Sequence, residues 1–351
     1  KRHQIPQNPL RRDGIAMTNA MPDVGTGTLI SAIGRTPVVE LKRLFANERG
    51  IRVLAKLEHL NPGGSAKDRP ALRLLREAYR AGRIGPGSTI VESSSGNTAI
   101  SLAMICAQWD MRLICVVDPR TAEANLAMLK ALGAEIDYVA EPDPATGEFL
   151  PARIRRVREL VDAIPGAFWP NQYENENNWL AQKETMREIH EQTGEPDYVI
   201  GAVSTCGTML GCYKYVRENG LSTKVVAVDS EASSILGAPR GRRLFPGMGA
   251  GMVPPFARRR FCDAAVTVSD LEIVRECRAM ARMEGLLAGP SSGGVAAAVR
   301  KMMARLPDGA VCVMIVHDRG ERYLDTLYSD AWVRRHLGEH ALWKEGDGGG
   351  C

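Results

Sequence analysis

A chain of 351 residues with 44% hydrophobic and 25% charged side chains has the composition of an ordinary globular protein, long enough to build two domains. A net charge of +4 is small for this length, and no basic stripe is interleaved with aromatics, so no nucleic-acid partner is expected. No stretch reaches the roughly 18 apolar residues that a membrane span requires, so no membrane partner is expected either.

Eight cysteines stand at 106, 115, 206, 212, 262, 277, 312 and 351. None has the CxxC or Cys/His spacing of a metal site. Several fall inside apolar runs, where a reduced buried thiol is the expected state, and a cytoplasmic location is the corresponding expectation. The chain opens on Lys1, and Met17 and Met21 are candidate natural starts. Residues 1–28 are expected to be a disordered extension without a signal-type apolar core, and residues 336–351, ending in Gly346-Asp-Gly-Gly-Gly-Cys351, a flexible tail.

In chain order, Leu29-Ile-Ser-Ala-Ile-Gly-Arg-Thr-Pro-Val-Val-Glu-Leu41 reads as a short helix, a turn and a strand. Residues 51–57 alternate and read as a strand leading into Asn61-Pro-Gly-Gly-Ser-Ala-Lys-Asp-Arg-Pro70. Pro70 suits a first helical turn, where a missing N–H costs nothing. Leu72, Leu75 and Tyr79 then recur at helical spacing until Gly82. Lys67 is therefore held between a rigid turn and a helix start.

Residues 88–92 read as a strand, followed by Ser93-Ser-Ser-Gly-Asn-Thr98 and an apolar helix over 99–108. Residues 113–117 read as a buried strand, and a helix over 122–132 ends at Gly133. This alternation predicts βαβ units on a parallel sheet. Turn residues at 143–147 precede a basic helix bearing Arg153, Arg155, Arg156 and Arg158, and then comes Asn171-Gln-Tyr-Glu-Asn-Glu-Asn-Asn178. The sheet pattern resumes at 198–203, passes through Ser204-Thr-Cys-Gly-Thr208 into a helix, and continues at 225–228 and 311–316. Residues 245–251 read as a flexible loop. The expected architecture is α/β, with two parallel-sheet domains and a ligand cleft at the carboxyl ends of the strands.

Four segments carry chemistry. The turn before Lys67 presents an amine. Ser94-Ser-Gly-Asn-Thr98 and Ser204-Thr-Cys-Gly-Thr208 each sit between a strand and a helix, where backbone N–H groups and hydroxyls make an anion site. Gly289-Pro-Ser-Ser-Gly293 opens another helix. Each segment alone reads equally well as a turn and N-cap, and a lone lysine is ordinarily solvated.

Taken in this order, the four segments resemble the fold-type II pyridoxal-phosphate enzymes, the cysteine synthase and cystathionine β-synthase group. Ile33-Gly-Arg-Thr-Pro-Val-Val-Glu-Leu41 is similar to the entry segment of that family, and the resemblance spans roughly residues 30–330. It implies pyridoxal 5'-phosphate as cofactor, with Lys67 as the catalytic lysine that forms a Schiff base with it and then acts as a base. It also implies two three-layer α/β/α domains with the cofactor between them. The larger would cover 29–57 and 166–335, and the smaller, mobile one would cover 58–165. Asn97 would contact the cofactor ring, Ser291 its pyridine nitrogen, and Ser204, Thr205, Cys206, Gly207 and Thr208 its phosphate. Ser204 and Cys206 depart from the family's usual glycine-rich form there. Ser94, Ser95, Gly96 and Thr98 would bind the substrate carboxylate, together with Gln172.

Asn171-Gln-Tyr-Glu-Asn-Glu-Asn-Asn178, Val116-Val-Asp-Pro119 and Asp318-Arg-Gly-Glu-Arg-Tyr-Leu-Asp325 narrow the resemblance. They are similar to a branch that joins O-phosphoserine to glutamate on the way to 2,3-diaminopropionate, a component of siderophores and peptide antibiotics. In that branch Arg153 and Tyr173 would serve the acidic substrates, although Arg153 also reads as one of several cations on a solvated helix face. The alternative within the family is a cysteine synthase acting on O-acetylserine or O-phosphoserine. Small amino-acid substrates and a homodimer are expected in either case. A non-catalytic, cofactor-binding relative would have no need of the intact Lys67.

Overall fold

The computed structural model describes residues 27–342, apart from 239, 240 and 246. Its larger sheet has six strands in the order β1 (Val38–Glu40), β2 (Arg52–Lys56), β9 (Val311–Ile315), β6 (Tyr198–Ala202), β7 (Lys224–Ser230) and β8 (Ala264–Val268). Only β1 runs antiparallel. The smaller sheet has three parallel strands, β3 (Thr89–Glu92), β4 (Arg112–Val117) and β5 (Glu135–Tyr138).

Both sheets are buried on two faces, which explains their near-continuous apolar runs. On β9, Cys312 and Met314, with Val316 just beyond it, pack with α7 (Asp270–Glu284) and α8 (Pro290–Met302), while Val313 and Ile315 pack with α5 (Asn177–Thr193) and α6 (Gly207–Glu218). The period of two along a strand thus divides its side chains between two helix layers. On the smaller sheet, Leu113, Cys115 and Val117 face α1 (Asp68–Arg80), α2 (Asn97–Gln108) and α3 (Glu123–Ala131). Ile114 and Val116 face α4 (Phe149–Ala163) through Val157 and Leu160. The arrangement is the expected α/β fold with mainly parallel sheets.

Several expectations are adjusted by packing. The first helix is a single 3-10 turn, Leu29–Ala32. Helix α2 begins at Asn97 rather than 99, so Asn97 lies in its first turn. Strands β5 and β8 are additional, and both lie on sheet edges. In the loop over 245–251, Phe245 and Met248 are buried in the larger core. Helix α9 (Asp330–Leu337) and the turn Glu339–Ala341 bring residues 336–342 into the packed fold, with Ala341 buried. The expected extension over 1–26 and the tail beyond 342 lie outside the described residues. Seven described cysteines are free thiols, six of them buried. No described helix is long and apolar enough to cross a membrane.

Candidate active site

The loops that follow β3, β4, β6 and β9 open at the carboxyl ends of their strands and surround one cleft of about 300 Å³. The lysine turn enters it first. Gly63 N–H donates to Asp68 Oδ2 at 2.6 Å, and Ser101 Oγ donates to Asp68 Oδ1 at 2.5 Å. A Cβ on Gly63 would stand 2.3 Å from Asp68 Oδ1, so the turn closes only around glycine. Burial pushes the Asp68 carboxyl up to about 6. Ala66 N–H donates to the His317 carbonyl at 2.8 Å, which seats the turn against the end of β9.

Lys67 reaches into the cleft from this turn. Loss of solvation lowers its pKa against weaker opposing pulls from Cys206 and Asp318, so the amine is biased towards its neutral, nucleophilic form. Beneath it lies a buried charge network. Arg69 Nε and Nη2 donate to Glu58 at 2.7 and 2.8 Å, and Arg69 also donates twice to Glu188 at 2.7 Å. Lys56 Nζ donates to Glu188 Oε2 at 2.7 Å. These bonds tie β2, α1 and α5 together behind the lysine.

The anion loops come next. Ser94, Ser95, Gly96 and Thr98 line the cleft, and Thr98 Oγ1 donates to Gln172 Oε1 at 2.8 Å. At the other strand-to-helix junction, Ser204, Thr205, Cys206, Gly207 and Thr208 line the wall where α6 starts. Cys206 adopts the left-handed φ of 65° where glycine would be unstrained, and its side chain does not cap the helix. The helix start lies at the cleft wall beside the Thr205 and Thr208 side chains, with Gly207 N–H donating to Thr205 Oγ1 at 3.3 Å.

Asp318 holds the floor. It is 2% exposed and accepts from Asn97 Nδ2 at 2.9 Å, Tyr323 Oη at 2.7 Å and Ser291 Oγ at 3.5 Å. Arg322 donates to the side-chain Oδ1 of Asn97 and to the Gly63 backbone carbonyl. Burial raises the Asp318 pKa. His317, beside it, accepts from the Ala202 N–H at 3.0 Å, and burial pushes its pKa down to about 3, so it is neutral.

Every residue selected from the sequence lines this one cleft, Arg153, Gln172 and Tyr173 included. Arg153 is not on a solvated face: its side chain is 13% exposed, and its Nε lies 3.4 Å from Asp118 Oδ2. Behind the loop, Glu92 is 1% exposed and accepts from Ser93 N–H at 2.8 Å and Trp169 Nε1 at 3.1 Å. Burial pushes its pKa up to about 7. Sequence reasoning missed Arg120, His317, Asp318, Arg322 and Tyr323 as lining residues. The signal was available for the last four, because they follow directly on a buried strand of a parallel sheet.

The residues present fit pyridoxal phosphate. An amine stripped of solvation stands in the same cleft as an uncapped helix start with hydroxyl neighbours, which suits an aldehyde and a phosphate respectively.

Comparison with known proteins points the same way. A profile described as "pyridoxal-phosphate dependent enzyme" matches residues 29–318. An O-acetylserine-dependent cystathionine β-synthase from Helicobacter pylori is 32% identical, with a TM-score of 0.79, over 86% of this chain and 97% of its own. Cysteine synthase from Entamoeba histolytica is also 32% identical, with a TM-score of 0.80, over 93% of this chain and 100% of its own. An O-ureido-L-serine synthase is 29% identical, with a TM-score of 0.80, over 89% and 96%. With a family match across most of its length and a cleft that suits the cofactor, this chain belongs to the pyridoxal-phosphate-dependent enzymes, among those of the cysteine synthase and cystathionine β-synthase type.

Proposed function

We propose that this enzyme replaces the phosphate of O-phospho-L-serine by the amine of L-glutamate, giving N-(2-amino-2-carboxyethyl)-L-glutamate and inorganic phosphate. The Cβ–O bond breaks and a Cβ–N bond forms. The product is a precursor of 2,3-diaminopropionate, for a siderophore or a peptide antibiotic. Pyridoxal phosphate, when bound, supplies the electron sink that makes the Cα proton acidic.

The remaining work falls to side chains. Lys67 Nζ takes the proton from Cα of phosphoserine and later returns it. Ser94, Ser95 and Thr98, with Gln172 bonded to Thr98, hold the substrate α-carboxylate at the start of α2. Asn97 and Ser291 would hold the cofactor ring, and the loop over 204–208 its phosphate. Segment 58–165 closes on the rest of the chain to exclude water, and the enzyme works as a homodimer.

The observation that carries the reading is Arg153, largely withdrawn from solvent and lining the cleft with Tyr173. A small neutral nucleophile needs no such cation, whereas an acidic amino acid does. The relatives named above differ in the group they are titled for, so the shared fold alone leaves the nucleophile open. The test is a product assay on the cofactor-loaded protein, with phosphoserine offered glutamate or sulfide. Mass spectrometry should find the glutamate adduct. Cysteine from sulfide, with no adduct from glutamate, would make the protein a cysteine synthase instead.

A further inference from the structure

Glu92 ends β3 directly behind the loop that takes the substrate carboxylate in the scheme above, and that scheme gives it no part. It joins two walls of the cleft. Its Oε1 accepts from the N–H of Ser93, where the loop begins, and from Trp169 Nε1, in the segment that leads on to Gln172. The same two walls meet again where Thr98 Oγ1 donates to Gln172 Oε1. The N–H groups of Asn171 and Gln172 also favour the Glu92 charge, yet its Oε2 is buried without a hydrogen-bond partner.

No cation is among these donors. Helix α2, which follows the loop, carries no charged side chain. The facing group on β4 is the Cys115 thiol, and in the segment 169–173 it is the Tyr173 phenol; burial raises the pKa of both, so both are neutral. On α4, Arg155 and Arg156 pair with Asp143 and Asp137, Arg153 stands beside Asp118, and Arg158 lies over the Trp169 ring at 5.9 Å. The α4 acids, Glu159 and Asp162, are exposed.

A buried carboxylate without a cation carries its charge at the cost of lost solvation. An anion entering the loop adds a like charge nearby, in surroundings of low dielectric. Two carboxylates in one such site are more stable sharing a proton than holding two charges. The proton falls to Glu92, because the substrate carboxylate has the donors of the loop to hold its charge.

We propose that Glu92 is a positioning residue of the carboxylate site: it clamps the loop to the Gln172 segment, and it must be protonated for a substrate α-carboxylate to be held tightly. The proposal rests on the reading of the loop over 94–98 as that site. Binding then takes up a proton near neutral pH, and affinity falls as pH rises through about 7.

The test uses the cofactor-loaded protein and two amines with no leaving group on Cβ, L-alanine and L-alaninol, which differ only in that alaninol has a hydroxymethyl group in place of the carboxylate. Binding is read from the absorbance of the bound cofactor. At about pH 6, where Glu92 is protonated, wild type and Glu92→Gln should bind alanine alike. At about pH 8.5, Glu92→Gln should bind it about tenfold more tightly than wild type. Alaninol should show no such gap. Glu92→Ala, which removes the clamp, should weaken alanine about tenfold at both pH values. Melting temperatures check that each variant folds, and the Gln variant, which keeps the shape and an acceptor oxygen, decides the matter alone. Parallel alanine profiles for wild type and Glu92→Gln, or an equal gap with alaninol, would overturn the role of Glu92, while tighter binding of alanine than of alaninol would still keep the carboxylate site. Alanine bound no more tightly than alaninol at either pH would remove the carboxylate site itself, and the role of Glu92 with it.

Discussion

Two positions beyond Lys67, the Arg69 guanidinium grips both carboxylate oxygens of Glu58, at 2.7 and 2.8 Å, with both partners buried. The same guanidinium bonds both oxygens of Glu188. Removing it takes the ion-pair partner from the buried Glu58 and leaves Glu188 with Lys56 alone. Arg69→Met should therefore destabilise the fold by on the order of 3–5 kcal/mol, as expected when one partner of a buried ion pair is lost. Denaturant unfolding at neutral pH measures this, and an unchanged midpoint would mean that the network contributes nothing.

The same network sets an acid limit. Burial opposes the charge on Glu188, yet hydrogen bonds from Arg69 and Lys56 bring its pKa down from 4.5 to about 2. Its folded pKa lies below its unfolded one, so its contribution is complete above pH 4.5 and is lost as pH falls towards 2. That contribution is on the order of 3 kcal/mol. Glu92 has the opposite sign: burial lifts it from 4.5 to about 7, so it favours folding below pH 4.5 and loses that contribution as pH rises to 7. In stability curves against pH, Glu188→Gln should flatten the acid limb and Glu92→Gln the fall between 4.5 and 7. Curves parallel to the wild type would refute both assignments.

Lys67→Ala should abolish turnover and leave the fold intact, because the side chain points into a cleft rather than into a core. Borohydride reduction followed by mass spectrometry should fix the cofactor to the wild type and not to the variant. Normal turnover by the variant would remove Lys67 from the mechanism.

The start of α6 makes a separate prediction. Thr205→Ala combined with Thr208→Ala removes two hydroxyls from the wall at this helix start. Each hydrogen bond to a charged group is worth about 1.5–3 kcal/mol, so the cofactor should bind at least about tenfold more weakly. Full retention of cofactor on dialysis would place its phosphate elsewhere.

For the second substrate, Arg153→Ala should still release phosphate from phosphoserine in a single turnover, while formation of the glutamate adduct falls about ten- to a hundredfold. Loss of phosphate release with normal glutamate use would assign Arg153 to phosphoserine instead.

The turn and loop segments were legible in the sequence because their glycines, hydroxyls and helix starts carry local signals. Lys67, Asn97, Thr208 and Ser291 needed no knowledge of distant contacts to be found. Strand β5 was not legible: Glu135 and Tyr138 are exposed and Ile136 is only partly buried, so an edge strand left a weak apolar pattern. Asp318 was quoted within a motif but not assigned to the site. Its role depends on Asn97, Ser291 and Tyr323 meeting around it, and only the tertiary fold brings the first of these close. Arg153 shows the limit from the other side. A helical wheel of arginines cannot say which one turns inward, and the answer came from the packing of α4 on the smaller sheet.

The pairing of β2 with β9 has a consequence for how the protein is made. Residues 52–56 find their neighbour in residues 311–315, so the larger sheet stays open until nearly the whole chain has been synthesised. The smaller sheet draws all its strands from residues 89–138 and is free to close early. The lysine turn leaves the ribosome before either sheet is complete, yet its seat, the His317 carbonyl, arrives close to last. Cofactor capture is thus a late event that reports completion of the chain. A protein ending just before Val311 should take up no pyridoxal phosphate, and uptake by such a truncation would show that the lysine is poised before its strand arrives.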